Sequence, residues 1–183
     1  MNFQHERANI MDGGEWMLVV ISNLRELRFG ELMEVYKCSN QENGKQNWPD
    51  ETQERQLALA EQDFYDYLRQ CFFKITGAVY CVWRVSGHYV SALRLEPWKD
   101  GLLLTGLETA PEQRRKGYAY DLIRAVQTHL AQQGTVTLYS HINNHNTASI
   151  AVHEKCGFRK LLDHATYLDG TVDCHSGTYI CDA

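Results

Sequence analysis

Several features are missing from this sequence, and each absence excludes a class of protein. There is no long apolar run: the longest, such as Trp16 to Ile21, are far too short to cross a bilayer. There is no excess of basic residues, since 18 Lys and Arg stand against 23 Asp and Glu, for a net charge of −5. A general nucleic-acid binder normally carries a net positive field. We therefore expect neither a membrane nor a nucleic acid as a partner.

A disulfide or zinc pattern is also missing. The six cysteines form no CxxC pair, and no charged leader with an apolar stretch and a cleavage site opens the chain. His141 and His145 could form a metal pair, but no third ligand is evident beside them. We expect free thiols, no metal site and a cytoplasmic protein.

The overall composition is that of a folded domain. Hydrophobic residues make up 44% and charged residues 22% of the 183 residues, close to the globular average. This length fits one domain over residues 1–183, as a monomer or homodimer, with residues 1–14 as a loosely ordered lead-in.

Hydrophobic periodicity predicts the secondary structure. In the first part we expect a strand over Trp16 to Ile21, a helix capped by Ser22 or Asn23 that Gly30 divides, a loop over Ser39 to Asp50 and a helix over Thr52 to Gln70. In the second part we expect a hairpin of Ala78 to Val85 and His88 to Leu95, a strand over Leu102 to Thr109, a helix over Gly117 to Gln133, a strand over Thr135 to His141, a helix over Asn146 to Lys155 and mostly strand from Phe158 onward. The order predicts a mixed α/β fold.

The link between the third strand and the clearest helix has the composition of an anion site. Arg114, Arg115 and Lys116 precede Gly117, which opens the helix. Unpaired N–H groups and the helix dipole favour phosphate there, and a glycine allows close backbone approach. The alternative is an ordinary solvated basic turn, because a short glycine-containing motif has many false positives.

A second motif lies downstream: Asn146-Thr147-Ala148-Ser149 opens a helix, and a Gly157-Phe158 pair closes it. Together with Pro111 and Arg114-x-x-Gly117-x-Ala119, this order resembles the GNAT superfamily of acyl-CoA-dependent N-acetyltransferases. The resemblance covers about half of the chain, from near Leu102 onward, with an acyl-CoA-binding core at residues 102–158. It implies a mostly antiparallel sheet in which two parallel strands splay apart, flanked by helices.

The resemblance also implies a donor site for acetyl-CoA. The backbone from Leu107 to Thr109 would pair with the pantetheine arm, and Asn146 would meet the far end of the arm. The residues that would hold the pyrophosphate are Arg114, Arg115, Lys116, Gly117, Tyr118 and Ala119. Asn146 could equally be a helix cap.

Acetyl transfer to an amine requires a base for the ammonium proton and an acid for the leaving thiolate. Strand alternation puts His141 at the end of its strand, beside the gap where the two parallel strands splay apart, and makes it the first candidate base. Glu108, on the other of these two strands, is the second candidate base. Alternatively, His141 only bonds a neighbour, Glu108 faces solvent, and a water or an already neutral amine replaces the base. Many relatives carry a Tyr four residues before the motif glycine, Gly157, where this chain has His153, so we assign the acid role to His153 as a hypothesis. Alternatively, the role has moved to Tyr118, Tyr139 or Tyr167.

The acceptor is an amine of unspecified kind. A small amine, an amino acid, an antibiotic and a protein N-terminus all remain open. We therefore expect an N-acetyltransferase that transfers acetyl from acetyl-CoA by direct attack in a ternary complex. The alternative is a catalytically weak acyl-CoA-binding regulator, which is suggested by His153 in place of Tyr.

Overall fold

The structure is a computed structural model that describes residues 15–134, 136–167 and 169–183. The predicted lead-in over residues 1–14 lies outside these residues, as does Thr135 at the start of a predicted strand. The strands are β1 (Trp16–Ile21), β2 (Val79–Val85), β3 (His88–Trp98), β4 (Gly101–Thr109), β5 (Thr137–Asn143), β6 (Arg159–Leu162), β7 (Ala165–Thr166), β8 (Val172–Asp173) and β9 (Ser176–Asp182). The α-helices are α1 (Phe29–Val35), α2 (Lys37–Asn47), α3 (Gln53–Gln70), α4 (Tyr118–Ala131) and α5 (Thr147–Lys155).

Seven strands form one mixed sheet in the order β1-β2-β3-β4-β5-β9-β6, and β7 pairs with β8 separately. Within the large sheet, β4 and β5 are parallel and the other neighbours are antiparallel. The parallel pair arises because α4 provides the crossover between the two strands. The predicted mixed α/β fold with one parallel pair is confirmed.

The two larger hydrophobic clusters lie on opposite faces of the sheet. On one face α4 inserts its apolar side, including Leu122 and Ile123, against sheet residues such as Leu104 and Leu138. On the other face lie α1, the end of α3 and the 3₁₀ turn after it, with Phe72 among the fully buried side chains. No helix within the described residues is both long and apolar enough to cross a membrane.

The prediction of a loop over Ser39 to Asp50 is wrong, because most of this segment is helix α2. Its buried residues are Asn40 and Gly44, so it has no apolar stripe that could reveal a helix. A close contact with α3 holds it instead. A Cβ on Gly44 would lie 2.6 Å from the backbone oxygen of Gln56, and the Gln56 amide donates to the Trp48 carbonyl oxygen at 3.0 Å.

The predicted helix after β1 is also partly wrong. Asn23 caps only a short 3₁₀ turn, Leu24–Glu26, by accepting a hydrogen bond from the Arg25 N–H at 3.0 Å. The α-helix begins later, at Phe29, and continues through Gly30 without a break. Gly30 is tolerated because the contacts of Leu32 and Val35, both fully buried, stabilise the helix more than one glycine weakens it.

Candidate active site

Strands β4 and β5 pair over only three residues and then separate. The paired positions run from Leu102 opposite Leu138 to Leu104 opposite Ser140. Beyond them the register of β4 against β3 shifts between Ala92 and Arg94, where Gly106 on β4 has a φ of +59°. A bulge of this kind bends its strand away from a neighbour. Leu107 and Thr109 therefore lie in a stretch of β4 that has no paired partner on β5.

Helix α4 begins shortly after β4 ends, so its N-terminus lies at the end of this gap. Gly117, at the cap position, has a φ of +90° and no side chain that could bond the first N–H groups of the helix. Tyr118 and Ala119 form its first turn, so their N–H groups belong to the set without an intrahelical partner. The partial positive charge of the helix end is thus available to an anion.

The three basic residues before Gly117 have different surroundings. Arg114 is held against β4: its Nε donates to the Thr109 carbonyl oxygen at 3.2 Å, and it lies 3.8 Å from the Glu108 carboxylate. Lys116 donates to the Gln113 side chain at 2.8 Å. Arg115 is exposed and has a positive φ of 63°. The loop therefore adds charge beside an uncapped helix end, as the sequence predicts.

Asn146 caps α5. Its side-chain oxygen accepts a hydrogen bond from the Ser149 N–H at 3.1 Å. The capping alternative raised by the sequence is thus what the structure shows, and a role of Asn146 toward a donor molecule stays a prediction.

His141 lies on β5 across the gap, on the sheet face opposite α4. Its ring is held edge-on between Trp98 and Tyr167, with ring centroids 5.2 Å and 5.3 Å away. Both ring nitrogens are buried and make no hydrogen bond to the described residues. Burial and the Lys99 charge lower the pKa of His141, although Asp173 opposes this shift. A neutral ring can accept a proton.

Glu108 lies on β4 beside Thr109, with its side chain half-buried. Burial raises the pKa of this carboxyl, while the Ser39 hydroxyl and Arg114 act in the opposite direction. Its main-chain oxygen accepts a hydrogen bond from the Ser91 hydroxyl at 2.6 Å. A carboxylate with a raised pKa at the gap suits the role of a base.

His153 on α5 is only 1% exposed. Its Nδ1 lies 2.7 Å from the Ser149 carbonyl oxygen, so Nδ1 carries the proton, and Nε2 is buried without a partner among the described residues. Burial lowers the pKa of His153. The neutral ring consequently offers a lone pair at Nε2, and only its imidazolium form could act as an acid.

Arg94 on β3 is a residue that the sequence reasoning missed. Its guanidinium lies among the aromatic rings of α3 and the following turn and against Gly106. The available signal was the alternation of Arg94 and Glu96 with Leu93 and Leu95 in an otherwise apolar strand. That pattern puts two charged side chains on one sheet face.

The structure brings Glu108, Thr109 and Arg114 into contact, with His141 on the other side of the gap. Residues His153 and Asn146 lie on α5, at the two ends of that helix. All six cysteines are unpaired, and no group of three or more His, Cys, Asp and Glu in the described part of the chain could hold a metal ion.

Comparison with known proteins identifies the family of this chain. The family model described as "Acetyltransferase (GNAT) family" matches residues 31–158. The chain therefore belongs to the GNAT acetyltransferase family. A search of curated proteins found no significant match.

Solved structures share the fold at low sequence identity. The PaiA N-acetyltransferase from Thermoplasma acidophilum, in complex with coenzyme A, has a TM-score of 0.61 and 12% identity, over 91% of this chain and 99% of that one. An acetyltransferase from Streptococcus agalactiae has a TM-score of 0.58 and 16% identity, over 90% and 96%. The ribosomal-protein-S18-alanine N-acetyltransferase from Escherichia coli has a TM-score of 0.50 and 18% identity, over 67% and 76%. At such identities the likeness concerns the fold.

Proposed function

We propose that this protein is an N-acetyltransferase that uses acetyl-CoA and transfers the acetyl group to a primary amine by direct attack in a ternary complex. The observation that carries the proposal is the gap between β4 and β5, which opens beside the uncapped N-terminus of α4. An extended donor that carries phosphates requires two things of the protein. It needs backbone N–H and C=O groups on a strand edge that have no partner, and it needs a helix end that binds an anion.

The residues present fit such a donor. The N–H groups from Arg115 to Ala119 would hold its pyrophosphate, and the β4 backbone from Leu107 to Thr109 would bond its extended arm. Arg114 and Lys116 would contribute charge at the same end. Acetyl-CoA supplies an activated thioester, so the chain itself needs to position the amine, remove its proton and polarise a carbonyl oxygen through a backbone N–H.

Two side chains at the gap could remove the proton of the amine. Glu108 does so as a carboxylate whose raised pKa makes it a stronger base. His141 does so as the neutral imidazole that its lowered pKa favours near neutral pH. The leaving thiolate takes up a proton from His153 in its imidazolium form or from solvent.

A thermal-shift measurement with acetyl-CoA tests the donor site. Saturation to about 100 times Kd stabilises a native protein by about 2.7 kcal/mol. For a chain of 183 residues this corresponds to a rise in Tm of roughly 5–10 °C. Absence of any shift would contradict the proposal.

A thiol-release assay with a panel of amines then tests the transfer. We expect saturable release of CoA with at least one amine class and an acetylated product of matching mass. Binding of acetyl-CoA without acetylation of any amine or peptide would favour the alternative, a regulator that binds acyl-CoA. That alternative is supported by the neutral tautomer of His153, which has no proton to donate at Nε2.

A further inference from the structure

Arg94 projects from β3 onto the face of the sheet that carries α1 and α3. Its guanidinium carbon lies 5.2 Å from the ring centroid of Tyr67, 5.8 Å from that of Phe72 and 5.9 Å from that of Phe64. The residue is partly exposed, while its Nε is buried and makes no hydrogen bond to the part of the chain that the structure describes. Aromatic rings thus enclose the cation but leave a part of it accessible.

No carboxylate among the described residues neutralises this cation at short range. Within the described part of the chain, the ion pairs shorter than 4 Å involve other arginines and lysines. Glu96, two positions further along β3, acts on Arg94 electrostatically from beyond that distance. Removing a guanidinium from water without a hydrogen-bonded anion is costly, and contacts with ring faces recover only part of the cost. Because no anion among the described residues is paired with it, the guanidinium can bind an anionic group that comes from outside the chain.

The position of Arg94 ties this anion site to the β4–β5 gap. Arg94 pairs in register with Thr105 on β4, and two guanidinium nitrogens lie 3.1 Å from the position that a Cβ on Gly106 would take. The Tyr36 hydroxyl donates to the Gly106 carbonyl oxygen from the same side. Gly106 lies just beyond the last paired residue of β4 and β5. An anion bound by Arg94 would consequently lie next to the place where the two strands separate.

Charges of opposite sign lie near Gly106, on Arg94 and on Glu108. Glu108 follows two residues after Gly106, and both Arg94 and Glu108 act on the Tyr36 hydroxyl. A ligand with one negative and one positive group fits this arrangement, with the anion at Arg94 and the ammonium group toward Glu108. A dianionic phosphate fits worse, because Glu96 and Glu108 both oppose a second negative charge.

We propose that Arg94 binds the carboxylate of the acetyl acceptor, so that the acceptors of this enzyme are amines that also carry a carboxylate group, free amino acids in the first place. This proposal rests on the proposed N-acetyltransferase function. It assigns Arg94 to acceptor binding and leaves proton removal to the groups at the gap.

Matched substrate pairs test the proposal in the unaltered protein. Thiol release is measured with a panel of amino acids, each beside its carboxamide, which keeps the side chain and removes the negative charge. Because the carboxamide also lowers the pKa of the amine, the rates are compared per unprotonated amine. We expect the acids to be preferred by about 10- to 100-fold in kcat/KM, the range of a charge-assisted hydrogen bond. Equal rates for acids and amides would overturn the proposal while leaving N-acetyl transfer intact.

The variant Arg94→Met assigns the preference to this side chain. Methionine fills a similar volume among the rings and removes the unpaired charge, so Tm is expected to stay level or rise. We expect KM for the acids to rise, kcat/KM for the amides to stay within a factor of three, and Arg94→Lys to recover part of the preference. The matched control is Arg84→Met on the neighbouring strand β2, where Arg84 contacts the Met17 sulfur. A preference for acids that survives in Arg94→Met would overturn the proposal.

A binding measurement separates this inference from the proposed function. N-acetyl amino acids are titrated calorimetrically into the protein in the presence of CoA. Binding to the unaltered protein that is lost in Arg94→Met would support the carboxylate site even if no amine were acetylated. If neither N-acetyl amino acids nor free amino acids bind, the proposal fails.

Discussion

Replacement of Gly117 by alanine separates the backbone strain at the start of α4 from the role in donor binding that we propose for it. Gly117 has a φ of +90°, and a new Cβ would meet only the Asp121 carboxylate at 4.0 Å. Space is therefore available, and the cost of the substitution is the left-handed conformation, about 1–2 kcal/mol. In a chain of 183 residues this lowers Tm by roughly 2–8 °C. In the proposed donor site, the Cβ would also stand where phosphate oxygens approach the N–H groups.

Gly87→Ala is the matched control for this experiment. Gly87 has a φ of +87° in the turn between β2 and β3, and a Cβ there would have no neighbour within 4 Å among the described residues. Both variants should lose similar stability, but only Gly117→Ala should weaken acetyl-CoA binding, by about 10-fold or more if one charge-assisted hydrogen bond is lost. Calorimetric titration of each variant measures Kd. Equal Kd values for the two variants would refute the assignment of this helix end to the donor.

Three further predictions concern the base, the acid and the fold. Of Glu108→Gln and His141→Gln, one should lower kcat by at least about 100-fold. Because burial raises the pKa of Glu108, an enzyme with Glu108 as the base loses activity as pH falls through a value above 4.5. With His141 as the base, whose pKa is lowered, activity is lost as pH falls through a value below 6.5. If neither variant has much effect, only a water or an already neutral amine remains to replace the base. If His153 is the acid, kcat declines as pH rises through a value below 6.5, because the pKa of His153 is lowered. His153→Phe should abolish this decline. If the variant leaves kcat and its pH profile unchanged, His153 is not the acid. Gly44→Ala should lower the free energy of unfolding by about 1–3 kcal/mol, because its Cβ would lie 2.6 Å from a backbone oxygen of α3. The control Gly30→Ala, whose Cβ has open space among the described residues, should raise Tm in the same denaturation assay. Equal effects of the two variants would contradict the close contact of α2 and α3.

The elements with their own periodicity were predictable. The apolar face of α4 repeats at helical spacing, and the β2–β3 hairpin alternates around Ser86-Gly87. Helix α2 lacks such a signal, because its contact with α3 depends on the small size of Gly44 and on the buried Gln56. A helix of this kind is stabilised by what it packs against, which no local pattern records.

The sequence by itself determined the local structure of the segments that we propose as the donor end of the site. Arg114, Gly117 and Asn146 owe their places to turn and capping chemistry, which acts between residues close in the chain. Only the tertiary structure decided that Arg94 meets Gly106, because that contact joins β3, the β4 bulge and rings from α3. The number of rings around Arg94 depends on how distant segments pack, and so does the absence of a nearby carboxylate among residues 15–134, 136–167 and 169–183. The acceptor class inferred from them depends on the same packing.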